Sequence, residues 1–220
     1  MLLKYQEKLE NTKESVNEII SGLINANKII LEALQDCDRE KFENAKLSIK
    51  NVSNKTEEID RSIVTTLALH TPEAKDLREM VAFLKITNEL IRAASNTRGF
   101  IKGFQDVCSE VNMNTINEYA VPMQKATIEC LEYTLEMLNI DCVDEVQECF
   151  NKALIAENKT DDLYEMLEAD VLKSSTTEAE FVKYHSMLSA LRKSEKVADR
   201  AMSIAALLLY ARNGGQLHQM

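Results

Sequence analysis

The chain contains no tryptophan, only two prolines and only five glycines in 220 residues. Turn-rich sandwiches, barrels and propellers need far more of both breaker residues, so an all-β architecture is excluded at the outset. No apolar run approaches the roughly 18 residues of a membrane span; the longest is IAALLLYA at 204–211. The opening MLLKYQEKLE turns charged too early for a secretory signal. Five cysteines, at 37, 108, 130, 142 and 149, form no C-x-x-C pair. That excludes a zinc ribbon and leads us to expect reduced cytosolic thiols in a helical core. Basic residues are outnumbered, 26 Lys and Arg against 36 Asp and Glu, for a net charge of −10. Nucleic acid and anionic membrane surfaces both attract the opposite sign.

Catalytic signatures are missing as well. There is no glycine-rich phosphate loop, no G-x-S-x-G and no convincing nucleophile–base pair. The three histidines, at 70, 185 and 218, are isolated and none completes an E-x-x-H. His70 and His218 are expected to be solvated, and His185 to be a surface or core residue. A ferritin-like di-iron oxidase is disfavoured on that ground.

What the sequence does contain is repetition. NKTEEI at 54–59 returns as NKTDDL at 158–163, 104 positions later. The same offset lays Leu31, Glu32 and Leu34 on Leu135, Glu136 and Leu138, and Leu84 and Ala94 on Leu188 and Ala198. Ungapped agreement over this length reads as two copies of one unit, residues 1–107 and 108–220.

Each copy is patterned as helix. Tyr5, Leu9, Thr12, Val16, Ile19, Leu23, Ala26, Ile30 and Ala33 step by fours and threes down one face, and Ile116 to Met137 repeats the pattern. Breaks predict helices at about 3–35, 39–69, 73–104, 112–139, 142–173 and 177–212. Asp38, Asp141 and Thr176 or Thr177 are candidate N-caps, Pro72 suits a first turn, and Gly214 suits a C-terminal cap. The fold class is therefore all-α, two tandem three-helix bundles made by internal duplication.

Two carboxylates interrupt the apolar seams. Glu195 stands in the row Leu188, Leu191, Ala198, Met202, Ala205, and Glu157 in the row Phe150, Ala153, Thr160, Tyr164, Leu167. Each has an aspartate one turn on, Asp199 and Asp161, on the same side of its helix. Four carboxylates brought together without compensation repel and lose hydration. A hard cation (Mg, Mn or Fe, with Zn disfavoured) would relieve that. A solvated acidic face is the plain alternative.

Three segments carry a family resemblance: LALHTPEAKDLREMVAFLKITNEL (67–90), AENKTDDLYE (156–165) and LRKSEKVADRAMSIAALLLYARNG (191–214). They resemble the signatures of the PhoU family. Its most specific element is P-x-A-x-D-L-R, here Pro72, Ala74, Asp76, Leu77 and Arg78. The resemblance implies two three-helix bundles and multinuclear metal sites on E/D-x-x-x-D motifs, with no organic cofactor. Carried over, the metal residues are Glu157, Asp161, Glu195 and Asp199, with Glu165 as a further acid. Asp76 and Arg78 become candidates for partner contact. It further implies a cytoplasmic, non-enzymatic regulator at the inner membrane face that represses phosphate-starvation signalling. The partners implied are the phosphate ABC transporter and a sensor histidine kinase; a homodimer is also expected. A metal-binding bundle or enzyme, or a helical adaptor unrelated to phosphate, are the alternatives.

The first copy departs from the pattern. Ile91, Ser95 and Ser53 occupy the positions of Glu195, Asp199 and Glu157, leaving Glu57, with Asp60 nearby. Metal is therefore expected in the second copy alone, with Ile91 packed in its seam and Glu57 turned to water, Lys55 or Arg61.

Overall fold

Residues 2–174 and 177–214 are described in the computed structural model, and they contain helices and no strand. The first copy comprises α1 (Leu2–Asp36), α2 (Arg39–Leu47), α3 (Val52–Leu69) and α4 (Ala74–Val107). A 3-10 turn (Cys108–Glu110) leads into the second copy. That copy comprises α5 (Met113–Thr115), a π-helical turn (Ile116–Ala120), α6 (Val121–Asn139), α7 (Val143–Ser174) and α8 (Glu178–Asn213).

Seam residues account for the association. Every residue of the first α1 row is buried except Leu9, which is half-buried. α1 also buries a second flank, Ile20, Ile24 and Asn27. That flank is covered because α1 packs on α6 as well as on its own bundle, while α4 packs along α8. Both hydrophobic cores consequently mix residues of the two copies. At one end Phe100 stacks on Phe104 at 5.0 Å and Phe42 lies 6.3 Å from Phe104, all fully buried. Each such ring contributes on the order of 2–3 kcal/mol by leaving water.

Several local expectations hold. Asp38 caps α2 by accepting from the Glu40 N–H at 2.8 Å. Thr177 caps α8 by accepting from the Glu180 N–H at 3.2 Å; Thr176 lies outside the described residues. Gly214 ends α8 with φ +70, a conformation that only glycine adopts without strain.

Others need correction. Residues 39–69 form two helices, not one, because the chain breaks at 48–51. There α1 is approached so closely that a Cβ on Gly22 would lie 2.7 Å from the Ser48 carbonyl oxygen. Asn25 Nδ2 donates to Ser48 Oγ at 2.8 Å, and Arg98 donates to the Ile49 carbonyl, which satisfies the freed backbone. Position 126, the counterpart of Gly22, is Ala, and α7 runs unbroken. Pro72 precedes α4, whose N-cap is Glu73. Asp141 pairs with Arg212 at 3.3 Å across the base of the bundle. The predicted helix 112–139 contains a π turn immediately before Pro122, whose missing N–H and ring disrupt regular α bonding to the preceding turn. His70 is half-buried against Tyr5, ring centroids 6.3 Å apart.

The expectation of five reduced thiols also fails. Cys37 and Cys108 form a disulfide, Cα–Cα 5.6 Å, while Cys130, Cys142 and Cys149 are free. Topology is the reason. α1 and α4 both run towards the same end, and the first residues beyond them meet there. Cys37 turns the chain with φ +54.

Candidate metal centre

Midway along α7 and α8 the predicted acids converge. Glu157, Asp161 and Asp199 each present a carboxylate oxygen, all within 4.8 Å of one another. The i, i+4 spacing on α7 sets Glu157 above Asp161. α8 lies against α7 and brings Asp199 to both. Glu195, one turn before Asp199, is 4% exposed. Its Oε1 meets Arg192 at 3.2 Å, and the Arg192 guanidinium lies over the Tyr164 ring, 4.9 Å from the centroid. Its Oε2 has no partner, and neither has Asp161 Oδ1. Glu165, the fifth predicted acid, is exposed on the next turn and does not join the cluster.

Electrostatics follow from that crowding. Burial, then the Asp199 charge, push Glu195 up to about 7, against the opposing pull of Arg192 and Lys196. Burial also raises Glu157, helped by Asp161 and Asp199, and raises Asp161, helped by Asp199 and opposed by its approach to the Glu195 carboxyl and by the Arg192 charge. Desolvation and like charge both oppose ionisation, and both are removed by a cation.

The donor set fits a hard ion: Glu157, Asp161 and Asp199 each offer a carboxylate oxygen, and the buried Glu195 carboxyl adjoins them. A soft donor that feels these charges is Cys130, which sequence reasoning passed over as core. Burial, then Glu157 and Asp199, push its thiol well above the ordinary range. It stays protonated, donating at 3.7 Å to the Ala198 carbonyl, so thiolate ligation is unfavourable. Arg192, close to these acids in sequence and able to pair with one of them, does pair with Glu195. Arg200 was missed as part of the site: it approaches Asp199 at 3.7 Å while pairing with Glu89 of α4 at 3.0 Å.

The first copy gathers no such group among its described residues. Glu57 is exposed beside Arg61 at 3.6 Å, Lys55 pairs instead with Glu18 at 2.7 Å, and Asp60 accepts the Thr87 hydroxyl at 2.8 Å. Ile91 is not packed in the seam. It is 37% exposed, because Leu90, Ala93 and Ala94 take up the buried face of α4 and leave it just outside.

The remaining pair, Asp76 and Arg78, lies half-buried at the start of α4. The Asp76 carbonyl accepts the Tyr5 hydroxyl at 3.0 Å, and the Arg78 guanidinium packs beside Gly214 at the end of α8. Arg212 joins the same end to Glu79 at 3.7 Å.

Residues 9–98 match the PhoU domain. Two solved structures superpose on nearly the whole chain. The phosphate transport system regulatory protein PhoU from Streptococcus pneumoniae does so with TM-score 0.78 and 16% identity, over 98% of this chain and 100% of that one. PhoU from Pseudomonas aeruginosa does so with TM-score 0.74 and 17% identity, over 97% and 98%. The chain thus carries a PhoU domain in its first copy and shares the fold of these PhoU structures. The phosphate-specific transport system accessory protein PhoU homolog 1 of Methanothermobacter thermautotrophicus is 21% identical over 203 residues, 91% of this chain and 90% of that protein. The domain match falls in the copy that gathers no acidic cluster among its described residues. No helix among the described residues is long and apolar enough to cross a membrane.

Proposed function

We propose that this PhoU-domain chain is a cytoplasmic, non-enzymatic regulator of phosphate transport and phosphate-starvation signalling, acting by protein contact on a phosphate transporter and its sensor kinase. The observation that carries this is similarity over nine-tenths of its length to a phosphate-specific transport accessory protein. The α4 start with Asp76 and Arg78, together with the α8 end, supplies a contact surface built from both copies. The second-copy carboxylates hold a hard divalent or trivalent cation, with Glu157, Asp161 and Asp199 as ligands and Glu195 as the adjoining acid. The cation neutralises the cluster and fixes α7 to α8; no bond is made or broken at the site.

Deletion of the gene tests the regulatory role, with phosphate uptake and alkaline phosphatase measured in phosphate-rich medium. Loss of repression or altered uptake is expected, restored by the wild-type gene. Unchanged uptake and unchanged repression would overturn the assignment.

A further inference from the structure

Beside the carboxylates, α4 and α8 part to form a groove of about 610 Å3. Its α4 wall carries Lys85, Glu89 and Arg92, spaced so that they share one face of the helix. Glu157, Asp199 and Arg200 line the opposite side. We propose that this groove is a cation-dependent oxyanion site that takes phosphate, as free orthophosphate or as a phosphomonoester. The inference rests on the metal centre proposed above.

The charges explain the dependence. Three cationic side chains line the groove against three anionic ones, so without a metal it is balanced and offers an anion no net attraction. Two of the acids, Glu157 and Asp199, are the candidate metal ligands. A divalent cation on them leaves a surplus of two positive charges and removes the carboxylates that would repel phosphate oxygens. The basic groups are also free enough to serve. Glu89 takes Arg200 at 3.0 Å and has only a marginal 4.0 Å approach from Arg92. Lys85 is exposed and has no ion-pair partner among the described residues. A guanidinium fork with a neighbouring ammonium suits the tetrahedral oxygens of phosphate, the fork engaging two oxygens and the ammonium acting as a point charge. Cation and anion then raise one another's affinity by the same factor. Because the walls belong to different copies, the bound anion spans the seam between them.

The full chain, stripped with chelator and dialysed, is titrated first with Mn2+ by calorimetry. It is then titrated with inorganic phosphate, 5′-AMP or sulfate, each with and without saturating Mn2+. Phosphate or AMP should bind only in the presence of Mn2+, with sulfate weaker, and the tighter of the two identifies the source. Lys85→Gln and Arg92→Gln, both at exposed positions, should each weaken that binding about tenfold while leaving Mn2+ affinity within about twofold. Mn2+ uptake without any anion binding overturns this inference alone. So does anion binding that is indifferent to Mn2+ or to both substitutions. Failure to take up Mn2+ overturns the metal centre and the oxyanion site together.

Discussion

Gln124 of α6 donates from Nε2 to Asn27 Oδ1 of α1 at 2.6 Å, with both residues almost wholly buried. The chain of bonds continues inward. Ser194 of α8 donates to Gln124 Oε1 at 3.0 Å, and Asn27 Nδ2 donates to the Leu23 carbonyl at 2.7 Å. Three helices from two copies are thus held in register immediately beside Glu195. Replacing Asn27 by Leu removes the short bond and leaves Gln124 Nε2 only its longer 3.3 Å bond to the residue-27 carbonyl, which should cost about 1 kcal/mol. The double variant Asn27→Leu, Gln124→Leu should recover part of that. Urea denaturation of the four proteins measures the coupling.

The cation is expected to depend on one copy only. Asp199→Asn should lower the bound Mn or Fe of protein purified without chelator by at least about tenfold, since one of three converging ligands loses its charge. Glu57→Gln should leave it unchanged, because Glu57 faces solvent beside Arg61. Elemental analysis decides, and equal loss in both variants would contradict the asymmetry.

Stability of the metal-free protein should rise on acidification. Glu195 is held up at about 7 by burial and then by Asp199, so the native state keeps a proton that the unfolded chain releases in the ordinary carboxylate range. The resulting stabilisation is complete below the unfolded value and fades as pH climbs through about 7. Calorimetry of chelator-treated protein should show a higher Tm near pH 5.5 than near pH 7.5. The difference should shrink in Glu195→Gln. Saturating Mn2+ should reverse the trend, since the ligands bind as carboxylates.

Gly22→Ala should destabilise the protein by about 1–3 kcal/mol, because the new methyl meets a backbone carbonyl that cannot swing aside. Ala126→Gly, at the matching position of the second copy, should cost only about 1 kcal/mol of helix propensity. Thermal melts of the two variants give the comparison.

Thiol counting tests the disulfide. Alkylation under denaturing, non-reducing conditions should modify Cys130, Cys142 and Cys149 and spare Cys37 and Cys108. Prior reduction should open all five. Intact-mass spectrometry reads both results.

The fold was legible because duplication and helical periodicity are properties of the chain in order. Apart from half-buried Leu9, the rows that begin at Tyr5 and run from Leu188 to Ala205 are buried as their spacing requires. Ile24 and Asn27 were not legible as core, since what buries them is a helix of the other copy, and no pattern within α1 names its second neighbour. Glu157, Asp161 and Asp199 were readable as acids near a seam. Arg200 was not, because its partners Glu89 and Asp199 lie on different helices and the first is 111 residues away. Glu165 shows the limit of i, i+4 reasoning. The spacing places it on the right side of α7, but not at the height where α8 brings Asp199 close. The Cys37–Cys108 bond depends on where two helices end, which spacing along the sequence does not reveal.

That bond makes a closed ring of the backbone from Cys37 to Cys108, and the break at 48–51 lies inside it. A protease that nicked the chain at this break would cut a ring instead of a string. α1 and α2 would stay tethered to α4, and through it to the second copy, by the sulfur bridge. Only a reductant would then let the two pieces part, so in an oxidising setting this helical junction can be severed without loss of any helix.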